Sequence, residues 1–157
     1  MCKGIPSANP RQPWASTLFH ILPDKELNLF RILFVIAALW NLTGAGFGYF
    51  NTDFTFEHFF GRELTDPLTH AIYKGAWGTT FVYFFGYLIV ARNPIKHTGI
   101  VIVGGIGKVG FAISLLQLYM SNIASQVVLI VVVGDSIFML FFFYYFYRLY
   151  KTKQTIL

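Results

Sequence analysis

Long apolar stretches separated by short polar segments dominate the chain. They cover residues 29–50, 70–90, 98–120 and 126–147. A helix of about 20 mostly apolar residues is long enough to cross roughly 30 Å of hydrocarbon. The pattern therefore predicts an all-α fold, an integral membrane four-helix bundle in which each stretch forms one transmembrane helix.

The polar segments divide the chain into a membrane domain and two tails. Residues 28–150 form the expected four-transmembrane-helix domain, between a cytoplasmic tail at 1–27 and a basic cytoplasmic tail at 151–157. Within the first tail, residues 14–22 are apolar but too short to span a bilayer, so we expect an interfacial segment there. Residues 54–64 mix phenylalanines with charges, which predicts a short amphipathic segment over the outer ends of the helices, either a plain anchor or a lid.

Charge between the apolar stretches indicates how the helices are oriented. The segment after the second stretch carries Arg92 and Lys96, and the C-terminal end is also basic, whereas residues 51–69 are mainly acidic. Because loops rich in Lys and Arg stay on the cytoplasmic side, we expect a multi-pass protein of the cytoplasmic (inner) membrane with both termini cytoplasmic. A cleavable signal peptide in the first stretch is the competing interpretation.

Composition supports a membrane location and narrows the partners. The chain is 55% hydrophobic and only 12% charged, too apolar for an ordinary soluble domain of this size. Its net charge of +5 comes mainly from basic residues outside the apolar stretches, where they orient the helices, and does not indicate a nucleic-acid partner. We therefore expect the lipid bilayer as a partner and no nucleic acid. Cys2 is the one cysteine, which excludes an internal disulfide and thiol-based redox motifs.

Lys108 and Asp135 each lie near the middle of an apolar stretch. A charge near the bilayer centre costs several kcal/mol unless it is paired or hydrated. Because the third and fourth stretches run in opposite directions, these residues come to the same depth, and Asn41 falls within about one turn of it. Other groups expected to face inward are Trp40, Trp77, Gln117 and Ser136. We take Lys108, Asp135, Asn41 and Trp77 as the candidate ligand-binding or proton-coupling residues.

The pair has two interpretations. Lys108 and Asp135 can be a structural ion pair that only determines which helices are neighbours. A buried ion pair is often no more stable than an apolar replacement of the same shape, however, so its presence in a small protein also favours a role in binding or proton movement. The sequence leaves both open.

Other motifs do not support familiar chemistry. The GxGxxG match at residues 105–110 lies inside an apolar helix, without the preceding strand that dinucleotide binding requires. The histidines lie at the ends of the stretches or between them, so haem is not expected, and no recognised spacing predicts a metal site. No catalytic signature is present, which leaves open whether the protein is an enzyme.

Glycines and aromatic residues suggest how the helices pack. Gly44 and Gly48 form a GxxxG spacing that permits close helix approach. The run of aromatic residues at 141–147 is typical of an aromatic belt at the membrane surface.

Several short motifs, taken in order, resemble small four-span bacterial membrane proteins of the DoxX-like type. They are Trp40-Asn41-Leu42 with Gly44-Ala45, Gly86-Tyr87, Val90-Ala91-Arg92-Asn93-Pro94, Gly104, Gly107-Lys108, Gly134-Asp135 and Phe138. The resemblance covers about residues 28–150 and carries over Asn41, Lys108 and Asp135 as polar residues of the bundle. DoxX-type proteins include subunits linked to quinone-dependent sulfur oxidation, so the resemblance implies a quinone as a possible cofactor.

The function expected from these observations is binding of a lipophilic small molecule, a quinone or a lipid, between the helices, with the chain as membrane subunit of a redox assembly. Clefts lined by aromatic groups with a few convergent polar groups are where such ligands bind. Two alternatives remain: a proton- or substrate-coupled transporter acting as a homo-dimer, and an accessory subunit of a larger membrane complex without a ligand.

Overall fold

The computed structural model describes residues 22–152, and all regular structure in that part of the chain is helical. The helices are α1 (Asp24–Phe50), α2 (Thr52–Phe60), α3 (Pro67–Arg92), α4 (Thr98–Met120) and α5 (Val128–Lys151). The prediction of an all-α fold is confirmed. The interfacial segment expected before residue 22, and the tail after Thr152, lie outside the described residues.

The long helices extend past most of the apolar stretches. Helix α4 has the bounds expected for 98–120, but α1 begins at Asp24, directly after Pro23. Asp24 and Glu26 lie in its first turn, where the helix dipole favours negative charge. Helix α3 starts with Asp66 as N-cap. Hydropathy marks the apolar part of each helix, whereas backbone hydrogen bonding and capping determine where the helix ends.

Within the described residues, α1, α4 and α5 are long and apolar enough to cross a membrane. Helix α3 has 26 residues but is not among them. Polar side chains interrupt its sequence, among them Lys74, Thr79 and Thr80. The span expected at 70–90 is thus a long helix of lower hydropathy, and its crossing of the membrane stays a prediction.

Two antiparallel pairs make up the long helices. Helix α3 lies along α1, with the Tyr87 ring stacked near Phe34 and Asn41 bonded to the backbone of Thr80. Helix α5 lies along α4 in the same way, through Lys108 and Asp135. Short connections, residues 93–97 and 121–127, separate consecutive helices and make antiparallel neighbours the natural arrangement.

The two pairs also contact each other. Phe34 on α1 stacks near Phe142 on α5, and Trp77 on α3 meets Phe111 on α4 edge to face. At the end of the molecule where α1 begins, Arg148 and Glu26 form an ion pair of 2.7 Å. Each long helix is therefore flanked by two antiparallel helices, in the order α1, α3, α4, α5 and back to α1.

Two apolar clusters fill the interior at different heights. The terminal core lies near the start of α1 and the end of α5 and contains Phe30, Phe34, Tyr87, Phe142 and Tyr145. The distal core lies toward α2 and contains Ala45, Phe59, Trp77, Leu115, Ala124 and Val128. The charged residues of the interior lie between the two clusters.

The aromatic run at 141–147 is only partly a surface belt. Phe143 and Tyr147 are exposed, as expected at a membrane surface. Phe142 and Tyr145 are instead buried in the terminal core, and the Tyr145 hydroxyl donates a hydrogen bond to the carbonyl of Pro94. Their spacing of three residues puts both on the inner face of α5, so the belt prediction was wrong for these two.

Helix α2 overlaps the amphipathic segment expected at residues 54–64, of which residues 61–64 lie in the connection after the helix. Its Phe56 ring meets Tyr73, and its Phe59 ring meets Trp77, both edge to face. The connection between α4 and α5 holds it in place, because Ser125 donates from its backbone N–H to the carbonyl of Phe59 (2.7 Å) and from Oγ to that of His58 (2.6 Å). These contacts tie the distal end of α3 to the ends of α4 and α5.

Candidate functional site

Lys108 on α4 and Asp135 on α5 form a buried ion pair. Lys108 Nζ lies 2.5 Å from Asp135 Oδ1, and the side chains are 7% and 5% exposed. The structure thus brings together the two charges that their positions in the apolar stretches predicted as partners. Burial of both partners makes each dependent on the other, since removal of one would leave an unpaired charge in an apolar interior.

Helix α1 contributes two further groups to this pair. Lys108 Nζ donates to Asn41 Oδ1 at 3.0 Å, and Trp40 Nε1 donates to Asp135 Oδ1 at 3.1 Å. Asn41 in turn donates from Nδ2 to the carbonyl of Thr80 on α3 at 3.1 Å. We call Trp40, Asn41, Lys108 and Asp135 the polar layer. Its hydrogen bonds connect all of the long helices.

Glycines make room for the large rings at this level. A Cβ at Gly134 would overlap the ring of Trp40, and one at Gly48 would overlap the ring of Trp77. Gly134 therefore allows Trp40 to approach α5 closely enough to reach Asp135. This is the structural reason for the sequence Gly134-Asp135, in which the small residue and the charged residue are adjacent.

The polar layer retains hydrogen-bonding capacity. A lysine ammonium has three donor hydrogens, and the contacts to Asp135 and Asn41 use two of them. Both hydrogen bonds that Asp135 accepts within residues 22–152 go to Oδ1, which leaves Oδ2 for a further donor. The ring of Phe138 lies 5.3 Å from Lys108 Nζ and supplies a cation–π contact in addition.

Two clefts reach the polar layer from different sides. The α1/α5 cleft has a volume of about 190 Å³, and its exposed rim is formed by Thr43 and Gly44 on α1 and Ile130 on α5. Trp40, Trp77, Phe111 and Val131 make most of its wall apolar.

The α3/α4 cleft is the larger, at about 390 Å³. Its exposed rim is formed by Thr79 on α3 and by Gly107, Gly110 and Ser114 on α4. No atom outside the local backbone lies within 4 Å of a Cβ placed at Gly107 or Gly110, so these glycines leave the rim open. Both clefts are lined by Asn41, Thr80, Lys108, Phe111 and Asp135. The clefts therefore lie on opposite faces of the helix assembly and meet at the ion pair.

The structure brings three of the candidate residues together and places the fourth in the wall of a cleft. Asn41, Lys108 and Asp135 meet in the polar layer, whereas Trp77 lines the α1/α5 cleft and packs against Phe111. Two residues expected to face inward do not. Gln117 is exposed, and Ser136 is exposed with its hydroxyl bonded to the carbonyl of Val132. Both lie on the outer faces of their helices, because Gly104, Gly105 and Lys108 occupy the inner face of α4 and Asp135 and Phe138 that of α5.

Sequence reasoning missed Thr80 and Tyr87 as parts of the site. Both line the α3/α4 cleft, and Thr80 also bonds Asn41. Trp77, Thr80 and Tyr87 follow helical spacing of three and seven residues, which puts them on one face of α3. That spacing is the sequence signal from which Thr80 and Tyr87 could have been predicted to lie near Trp77.

Metal-ligating groups do not gather at this site. Across residues 22–152, no group of three or more His, Cys, Asp or Glu side chains is placed to hold a metal ion. At the distal end, His70 Nε2 lies 3.5 Å from Asp53 Oδ1, which links α3 to α2. This contact is remote from the ion pair.

Comparison with known proteins returned no match to a family model, to a curated protein or to a solved structure.

Proposed function

We propose that the chain is a DoxX-like protein of the cytoplasmic membrane that binds a lipophilic small molecule, a quinone or a lipid, at the polar layer. The observation that carries the proposal is the pair of clefts that meet at a buried ion pair with unused hydrogen-bonding capacity. Pockets for small ligands are mostly apolar with a few convergent polar groups. The polar layer supplies such groups, and the cleft walls supply the apolar surface.

The length and packing of α3 support a four-span topology. Helix α3 is about 39 Å long, which exceeds the hydrocarbon thickness of a bilayer, and it lies antiparallel along α1. Its Thr79 and Thr80 line the α3/α4 cleft, so part of the lower hydropathy of α3 comes from residues that line the site. We infer that α3 crosses the membrane with α1, α4 and α5 as the fourth helix of an integral membrane bundle.

The charges at the helix ends support cytoplasmic termini. Arg92 and Lys96 lie at the α3–α4 connection, and Arg148 and Lys151 at the end of α5, whereas Asp53 and Glu57 lie on α2 at the opposite end. Antiparallel packing puts the basic positions at the same end of the molecule as the start of α1. Positive charge is retained on the cytoplasmic side.

The positions of the cleft rims favour a ligand that comes from the bilayer. Thr43, Gly107 and Gly110 lie well inside their helices, so the openings face acyl chains rather than the aqueous surfaces. A transporter needs access to its site from both aqueous sides. The two clefts instead reach the ion pair laterally, at about the same depth along the helices. We therefore place ligand binding ahead of transport and of a ligand-free accessory role.

Native mass spectrometry tests the proposal. Wild-type protein in detergent would be incubated with decylubiquinone or with phospholipid, beside the Lys108→Met/Asp135→Leu double variant and the Lys96→Met control, which removes an exposed lysine outside the spans. We expect an adduct on wild type and on the control that is lost in the double variant while helical circular dichroism is retained. An adduct that survives the double substitution would make the pair structural, and absence of an adduct on wild type would overturn ligand binding.

A further inference from the structure

Hydroxyl groups in the α3/α4 cleft have their hydrogens committed to their own helices. Thr79 Oγ1 donates to the carbonyl of Gly75 (3.1 Å), Thr80 Oγ1 to that of Ala76 (3.1 Å), and Ser114 Oγ to that of Gly110 (2.9 Å). A hydroxyl has one hydrogen and two lone pairs. These groups therefore present acceptor lone pairs to a bound molecule, and they match a ligand that brings its own N–H or O–H donors.

Tyr87 provides a further polar group at the inner wall of the same cleft. The residue is fully buried, and its hydroxyl has no hydrogen-bond partner among the described residues. A Cβ at Gly104 would lie 2.5 Å from this oxygen, so the absence of a side chain at Gly104 leaves room for the hydroxyl. A buried hydroxyl without a partner is costly, and a ligand group that reaches it recovers the lost hydrogen bond.

The charge of the cleft selects against ions. The charged residues that line it are Lys108 and Asp135, which neutralise each other. A charged head group would lose its hydration on entry without an unpaired counter-charge to replace it. The cleft is thus suited to a neutral head group.

We propose that the α3/α4 cleft is a head-group subsite for a neutral hydrogen-bond donor, an alcohol or a primary amide on a long apolar chain. The assignment rests on the lipophilic-ligand function proposed above and narrows it to a lipid-type ligand, because a quinone carries acceptor oxygens and no donor. An alcohol donates its one hydrogen to Thr80, Ser114 or Asp135 Oδ2, and a primary amide donates to two of these acceptors. The α1/α5 cleft shares Thr80 and Asp135 but lacks Thr79, Ser114 and the Tyr87 hydroxyl.

Matched amphiphiles test the assignment. The full-length protein in nanodiscs would be titrated with 1-hexadecanol, with its methyl ether 1-methoxyhexadecane, and with hexadecylammonium, which share a chain and differ in the head group. We expect the alcohol to bind about tenfold more tightly than the ether, the effect of one or two hydrogen bonds, and the ammonium to bind no better than the ether.

Substitutions in the cleft test which residues cause the preference for the alcohol over the ether. Thr80→Ala and Ser114→Ala should each lower the alcohol-to-ether ratio several-fold and leave ether binding unchanged, which also reports that the site is folded. Ser136→Ala is the matched control, because its hydroxyl bonds the carbonyl of Val132 in the same manner but lies outside the cleft.

The outcomes separate this inference from the function on which it rests. Equal binding of alcohol and ether, both lost in the Lys108→Met/Asp135→Leu variant, would overturn the head-group class and leave lipophilic binding intact. Tighter binding of the ammonium would replace the neutral class by a cationic one. Binding of none of the probes would overturn the assignment, and the adduct experiment above then decides the function separately.

Discussion

The terminal core and the polar layer are adjacent on the same helices but are built in opposite ways. In the terminal core, Phe34 lies 5.2 Å from Tyr145 and 5.8 Å from Phe142 between ring centroids, with Tyr87 completing the set. About two turns further along α1, Asn41 contacts a buried ion pair flanked by two clefts. Rings fill the first region, whereas charges and open volume occupy the second.

The difference shows what each region contributes. In the membrane location proposed above, lipid is as apolar as a protein interior, so the helices associate through close packing and hydrogen bonds rather than through hydrophobic burial. The terminal core supplies the packing. The polar layer supplies directional bonds that determine which helix faces meet, and its clefts leave room for a ligand. We therefore expect substitutions in the two regions to differ in kind.

The largest effect should come from breaking the ion pair on one side. Lys108→Met leaves Asp135 buried without its partner and should reduce the free energy of unfolding by about 3–5 kcal/mol. The Lys108→Met/Asp135→Leu double variant should recover most of this loss, since both charges are then absent. Unfolding in mixed micelles, followed by circular dichroism, measures both. Equal loss in the single and double variants would contradict the account of the polar layer.

A truncation in the terminal core should have a smaller effect. Phe34→Ala removes a ring that contacts three aromatic neighbours and should cost about 2 kcal/mol. This is below the 3–5 kcal/mol typical of water-soluble cores, because in the proposed membrane location lipid also solvates the exposed ring in the unfolded reference state. The same unfolding measurement applies, with Phe143→Ala on the exposed face of α5 as control. A loss at Phe143 equal to that at Phe34 would contradict the distinction between core and surface.

Two glycines on α1 test how much close packing contributes to stability. Gly48→Ala introduces a methyl group that overlaps the Trp77 ring and should cost about 1–3 kcal/mol. Gly46→Ala, on the same helix, meets no atom within 4 Å and should be neutral or slightly stabilising. Thermal unfolding of the two variants side by side checks this. Similar losses in both variants would contradict the role given to the contact with Trp77, since helix propensity favours Ala over Gly at either position.

The smallest effect is expected at the surface, where α3 begins. Hydrogen bonds from the Thr69 hydroxyl (2.5 Å) and backbone N–H (2.7 Å) hold the pKa of the Asp66 carboxyl below its usual value. A lowered pKa means that the cap stabilises the helix end at neutral pH and that this contribution is lost as the pH falls through the lowered pKa. Hydrogen exchange in the first turn of α3 should therefore accelerate at acid pH, after correction for intrinsic rates.

Asp66→Asn tests the origin of that pH dependence. An asparagine still accepts a hydrogen bond but does not titrate, so the acid-induced change should disappear while the helix start is largely kept. Glu63→Gln, at an exposed position in the same connection, is the control and should leave the change in place. Persistence of the change in Asp66→Asn would assign it to another group.

The sequence alone determined the helical class and the places where charge enters the apolar helices. Those features are local: hydropathy over a window, and the position of Lys108 or Asp135 within its stretch. Depth along a helix follows from residue count, because the rise per residue is constant, and so the meeting of Asn41, Lys108 and Asp135 was predictable. Helix α3, the long helix of lower hydropathy, could be recognised in the sequence as an apolar stretch. The sequence did not show that Thr80 and Tyr87 on this helix line the site.

The tertiary structure alone decided which faces of the helices turn inward. Residue count gives the height of a side chain, but the rotation of a helix depends on which partner packs against it. Trp40 reaches Asp135 because Gly134 leaves a gap on α5. Gln117 and Ser136 face outward because other side chains, among them Lys108 and Asp135, occupy the inner faces of their helices. The clefts likewise exist only between helices, where the pairs α1–α3 and α4–α5 meet less closely than the members of each pair.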